Sequence, residues 1–180
     1  MKSISNQNHG FSLIELVVAI AIMILLLGGG IAAFAKFNDK QKLLSASREL
    51  GQLLRIAQTK ARAREIPDDG VCDPVDNPIM AYRVISDGAG APGTLVRVYP
   101  ICGLTQSDYG DPDSNSDPIL SLDLPTNITL EEAMKVDFQA LYGGAQIDGA
   151  STFHLSSGSN QVEFSISEGG AIGDVVESIP

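Results

Sequence analysis

A single carboxylate stands inside a long apolar run, and that run limits what the chain can be. From Phe11 to Leu27 the only polar residues are Ser12 and Glu15. After Gly28-Gly29-Gly30 the run resumes as Ile31-Ala32-Ala33-Phe34-Ala35, about 25 residues without a second charge. A helix needs about 20 apolar residues to cross the hydrocarbon of a bilayer. A carboxylate within such a segment costs roughly 2.5–3.5 kcal/mol on insertion scales, so Glu15 is expected to have a specific partner or role. Three consecutive glycines each cost a helix roughly 1 kcal/mol relative to alanine. Gly28–Gly30 is therefore either a soft point or a face for close helix packing.

The stretch Gly10-Phe11-Ser12-Leu13-Ile14-Glu15-Leu16 resembles the prepilin signature of type IV pilins and type II secretion pseudopilins. A short polar leader ends in Gly, Phe follows, and Glu holds the fifth position after the junction. The resemblance implies that a membrane aspartyl prepilin peptidase cuts between Gly10 and Phe11 and that the new amino terminus is N-methylated. It further implies that Glu15 pairs with the Phe11 amine of a neighbouring subunit. The implied partners are other pilins or pseudopilins, met through this helix, and an inner-membrane assembly platform. Glu15 neutralised at the membrane edge by the positive end of the helix is the alternative. In related filaments the part of the helix matching Gly28–Gly30 stretches on assembly. A secretory signal peptide has a shorter apolar core, although Ala32-Ala33-Phe34-Ala35 mimics its cleavage site. A plain membrane anchor also fits the hydropathy. Neither explains a Glu four residues after Phe11.

Orientation carries a conflict. Lys/Arg near the span ends mark the cytoplasmic side. Here Lys2 precedes the span, while Lys36, Lys40, Lys42 and Arg48 follow it. The resemblance implies the reverse, with the leader inside and the remainder outside, anchored as a single pass in the inner membrane.

The expected organisation is a leader (1–10), a transmembrane helix (11–35), an amphipathic helix (36–65) and a β-rich head (66–180). The fold class is α+β, a long helix on an antiparallel sheet. Leu43, Ala46, Leu50, Leu53, Leu54, Ala57 and Ala61 recur at three- and four-residue steps, the apolar stripe of a helix docked on a sheet. Ile66-Pro67-Asp68-Asp69-Gly70 ends that helix. The block Ala46–Arg64 is similar to the helix before the sheet in minor pseudopilins of the GspH/FimT type; Leu54-Arg55-Ile56-Ala57 and Ala61 fit, and Gln58 replaces the usual Arg. Expected strands are Met80–Ile85 and Thr94–Tyr99 as one hairpin, Val136–Tyr142, and Thr152–Leu155 with Val162–Ile166 as a second hairpin. In the last of these, Val162, Phe164 and Ile166 face the core. Gly169–Pro180 reads as a loose tail.

Charge is unevenly spread. Residues 36–65 carry eight Lys/Arg against three Asp/Glu, and residues 66–180 carry three against eighteen, within a net charge of −10. The head therefore repels nucleic acid. Some GspH/FimT-type minor pilins bind DNA through basic residues near the carboxyl end, but Gly158–Pro180 has no Lys or Arg, so no nucleic-acid partner is expected. Cys72 and Cys102 both fall in the head; a disulfide suits an oxidising compartment, and two reduced, buried thiols are the alternative.

No catalytic constellation emerges, and no enzyme or resident cofactor is expected. His154 is the one histidine outside the leader and reads as an ordinary strand side chain. Asp111, Asp113, Asn115 and Asp117 alternate oxygen ligands as calcium loops do, although Ser116 and Leu122 stand where an EF-hand has its Gly and Glu. The alternatives there are a calcium site and a solvated acidic loop. The resulting expectation is a minor pseudopilin of a type II secretion pseudopilus. The alternatives are a minor pilin of a type IV pilus and a membrane-anchored binding module that does not polymerise.

Overall fold

Ser12 sets the start of the first element. Its carbonyl accepts the N–H groups of Glu15 (3.1 Å) and Leu16 (3.2 Å), and its hydroxyl accepts that of Glu15 at 3.3 Å. This is an N-cap with Glu three residues on, the pattern of a capping box. Helix α1 follows over Leu13–Ala63. The computed structural model describes residues 12–68, 72–87, 93–103, 117–141, 143–158 and 160–178, with side chains except at 26–33, 35, 177 and 178.

The chain divides into two units, Met1–Asp39 and Lys40–Pro180. In the first, no described apolar side chain of the helix is buried: Leu13 is 80 % exposed and Leu25 77 %, and Ile14, Val17, Ile20 and Ile24 are exposed as well. Among the described residues no helix is long and apolar enough to cross a membrane.

In the second unit the helix is half of a core. Leu43, Ala46, Leu50, Leu53, Leu54, Ala57 and Ala61 are all buried. They share one cluster with Tyr82, Val84, Val96, Val98, Val136 and Phe138. Phe153, Leu155, Val162, Phe164 and Ile166 belong to the same cluster. The helix ends in a Schellman arrangement, with Arg64 N–H donating to the Ala61 carbonyl and Glu65 N–H to that of Lys60, both at 3.1 Å. Arg64 takes the left-handed position (φ 50°) that such an ending requires. The stop thus comes before Pro67, and no proline is needed to make it. Lys60 Nζ pairs with Glu65 across the ending, and Tyr82 Oη donates to the Glu65 carbonyl at 2.6 Å.

Among the described residues nine strands follow: β1 (Ile79–Ser86), β2 (Leu95–Cys102), β3 (Leu120–Asp123), β4 (Thr129–Leu130), β5 (Lys135–Gln139), β6 (Ala145–Ile147), β7 (Thr152–Ser157), β8 (Asn160–Ser165) and β9 (Val176–Ser178). They form a five-stranded sheet in the order β3-β2-β1-β5-β6 and a four-stranded sheet in the order β4-β7-β8-β9. Every strand pair is antiparallel. The expected α+β architecture is present, and both expected hairpins are present as β1–β2 and β7–β8. Asp87 closes the first hairpin, its Oδ1 accepting the N–H groups of Thr94 (2.9 Å) and Leu95 (2.7 Å). Val162, Phe164 and Ile166 point inward as expected.

Two expectations are corrected. The strand expected over Val136–Tyr142 stops at Gln139, because Gly143 (φ 65°) turns the chain back and Gln139 N–H bonds the Gly144 carbonyl at 3.0 Å. The returning segment is β6. The tail is not loose throughout. Val176–Ser178 pairs with β8, supplying partners for backbone groups that a bare edge leaves unsatisfied. The short strands β3 and β4 were not anticipated; two to four residues carry too little alternation to be recognised.

The second unit also buries a charge pair. Arg83 on β1 and Asp137 on β5 are directly opposite in register. Arg83 Nε and Nη2 each donate to one carboxylate oxygen of Asp137 at 2.7 Å. Their side chains are 3 % and 6 % exposed, and a forked pair of this kind satisfies both charges out of water.

Candidate functional site

The candidate site is the amino-terminal segment of α1. Glu15 sits at the third position of the helix behind the Ser12 cap, in the first turn, with its side chain exposed. The free N–H groups of a helix start favour a carboxylate there. Past Glu15 the described side chains are apolar and unburied through Leu25. An apolar helix without partners in its own fold needs lipid or other helices to cover it. Gly10 and Phe11, the expected processing junction, lie outside the described residues.

Cys72 and Cys102 are bridged, with Cα atoms 5.5 Å apart. The bridge ties the segment after α1 to the end of β2. Asp73, next to it, accepts the N–H groups of Val75 (2.8 Å) and Asp76 (3.1 Å) on one carboxylate oxygen. Those backbone donors hold the Asp73 carboxyl below its ordinary range.

Of the proposed calcium ligands, Asp111, Asp113 and Asn115 lie outside the described residues, and Asp117 is exposed.

His154 has a setting that its sequence neighbours do not reveal. Its Nδ1 lies 2.6 Å from Glu132 Oε1, and its backbone N–H donates to Glu132 Oε2 at 2.8 Å. Nε2 lies 3.8 Å from Glu163 Oε2. Glu131 completes the group. The hydrogen bond to Glu132 is the main cause raising the imidazole pKa above its ordinary value; the charges of Glu132, Glu163 and Glu131 add to it, and partial burial opposes it. A reading of His154 by itself could not find this, because its partners come from the segment after β4 and from β8.

A groove of about 880 Å³ between β6 and the Ser165–Gly173 segment has one titratable side chain in its lining, Glu168.

The family description "prokaryotic N-terminal methylation motif" matches residues 5–31. No curated protein and no solved structure matches the chain. The matched residues contain the Gly10–Phe11 junction, the Ser12 cap, Glu15 and the exposed apolar helix. The motif implies processing by a prepilin peptidase, assembly with other pilins and a membrane-anchored amino-terminal helix. The chain thus carries the prokaryotic N-terminal methylation motif at the head of an α+β, pilin-like architecture.

Proposed function

We propose that the chain is a structural subunit of a type II secretion pseudopilus, a minor pseudopilin rather than an enzyme. At the coarser level, the methylation motif supports a type IV pilin-family subunit. In this reading the peptide bond after Gly10 is cut on the cytoplasmic face, residues 11–35 sit in the inner membrane, and the head stands outside it. The observation that carries the reading is the position of Glu15, in the first turn of an apolar helix that its own fold leaves exposed.

Cleavage frees a positive amine on Phe11. Opposite unit charges 4 Å apart attract by about 4 kcal/mol at an effective dielectric constant of 20. That exceeds the roughly 2.5–3.5 kcal/mol cost of carrying the carboxylate into the membrane. A neighbouring subunit's amine therefore draws Glu15 into the filament and sets the axial register, while the exposed apolar residues pack between subunits.

The test is Glu15→Ala. The variant is expected to be cut at Gly10–Phe11 as efficiently as the parent, with mass spectrometry finding a methylated Phe11 terminus, and to be lost from the sheared filament fraction. Parental levels of Glu15→Ala in that fraction would defeat the pairing. A chain that still begins at Met1 in cells holding the peptidase would defeat the assembly reading itself.

A further inference from the structure

We propose that Glu131, Glu132 and His154 form a binding site for a divalent transition-metal ion of the zinc class, on the face of the four-stranded sheet opposite the core. The strand register builds it. β4 pairs with β7 through Leu130 and Leu155. The Glu131 N–H then donates to the His154 carbonyl at 2.9 Å, which brings the two residues after β4 alongside His154. On the other side, His154 and Glu163 are directly opposite between β7 and β8. The inward neighbours Phe153 and Leu155 are fully buried, so the backbone carrying His154 is anchored by the core.

One ligand atom from each of Glu131, Glu132 and His154 lies within 4.8 Å of the others. Ligands at about 2.0–2.1 Å around a tetrahedral zinc lie about 3.3 Å apart. The 2.6 Å contact between Nδ1 and Glu132 Oε1 must therefore open by less than about 1 Å to admit the ion. Three protein ligands leave a fourth position for water, and the side chains of His154 and Glu132 are 28 % and 30 % exposed, which keeps that position accessible.

The donor set selects the metal. An imidazole nitrogen with carboxylate oxygens suits zinc, nickel or copper, whereas calcium and magnesium prefer oxygen alone. Charge favours any dication, since three carboxylates surround one ring. The surrounding residues also fit a ligand role. With Nδ1 on the metal, the Nε2–H faces Glu163, as the second nitrogen of a metal-bound histidine commonly faces a carboxylate. Gln161 Nε2 donates to Glu131 Oε2 at 3.0 Å and orients that carboxylate. This site is separate from the amino-terminal segment and does not depend on the assembly reading.

The test uses the full chain, purified in detergent and stripped with a chelator. His9→Gln serves as the background, because His9 is the other of the chain's two histidines. Titration with zinc chloride is expected to bind one equivalent, raise the melting temperature and shift the ring resonances of His154, while calcium chloride at the same concentration leaves those resonances unmoved. His154→Gln and Glu132→Gln, checked for native circular dichroism, should each weaken zinc binding about tenfold or more. The proposal is overturned if zinc leaves the His154 ring resonances unmoved, or if the folded variants bind as tightly as their parent.

Discussion

Arg64 is the single described non-glycine residue with positive φ, and it pays an L-residue's steric cost to let the last carbonyls of α1 find donors. Glycine adopts that conformation without the Cβ clash. Arg64→Gly is therefore expected to stabilise the protein by about 0.5–1 kcal/mol, read as a higher urea midpoint at unchanged slope. Asp73 gives a pH dependence of known sign. Its carboxyl is held below the unfolded value of 3.8 by the N–H groups of Val75 and Asp76. A depressed folded pKa contributes stability that is present above the unfolded pKa and lost as pH falls through the folded one. Acid unfolding below about pH 4 should be less steep for Asp73→Asn, which keeps an acceptor oxygen but not the charge. Unchanged acid profiles for the two proteins would remove the effect.

At the scale of elements, α1 is one helix with two kinds of surface. Its carboxyl-terminal part repeats apolar residues at three- and four-residue steps, and every member of that stripe is buried against the sheets. Its amino-terminal part is apolar around much of its circumference, and the described side chains there, from Leu13 to Leu25, are exposed. Gln58 donates its side-chain N–H to the Gly170 carbonyl and fastens the helix to the turn before β9. The disulfide fastens the other side, joining positions 30 residues apart. A loop of that size is worth about 3–4 kcal/mol by the chain-entropy account. Replacing Cys72 and Cys102 together by Ser should lower the melting temperature by about 10 °C, a loss that reductant should reproduce in the parent protein and not in the variant.

At the scale of the molecule, the parts legible from residue order are those set by near neighbours. The helix stripe, the two hairpins and the inward face of β8 follow from side-chain periods of 3.6 and 2, and the processing motif occupies seven consecutive residues. What periodicity cannot reach is the partnering of distant residues. Arg83 reads as one of three head cations, yet it is buried in a forked pair with Asp137, 54 residues away. His154 reads as an isolated histidine, yet Glu132, 22 residues before it, meets both its ring and its backbone. The tail reads as loose because three residues of strand carry no periodic signal, and only the open edge of β8 gives them a place. By itself the sequence determined an apolar helix carrying one carboxylate, and the amphipathic stripe behind it, because those depend on contacts within a few turns of chain. The two-sheet order, the buried ion pair and the carboxylate-ringed histidine were decided by the tertiary structure alone, because sheet register brings together side chains that no local rule relates.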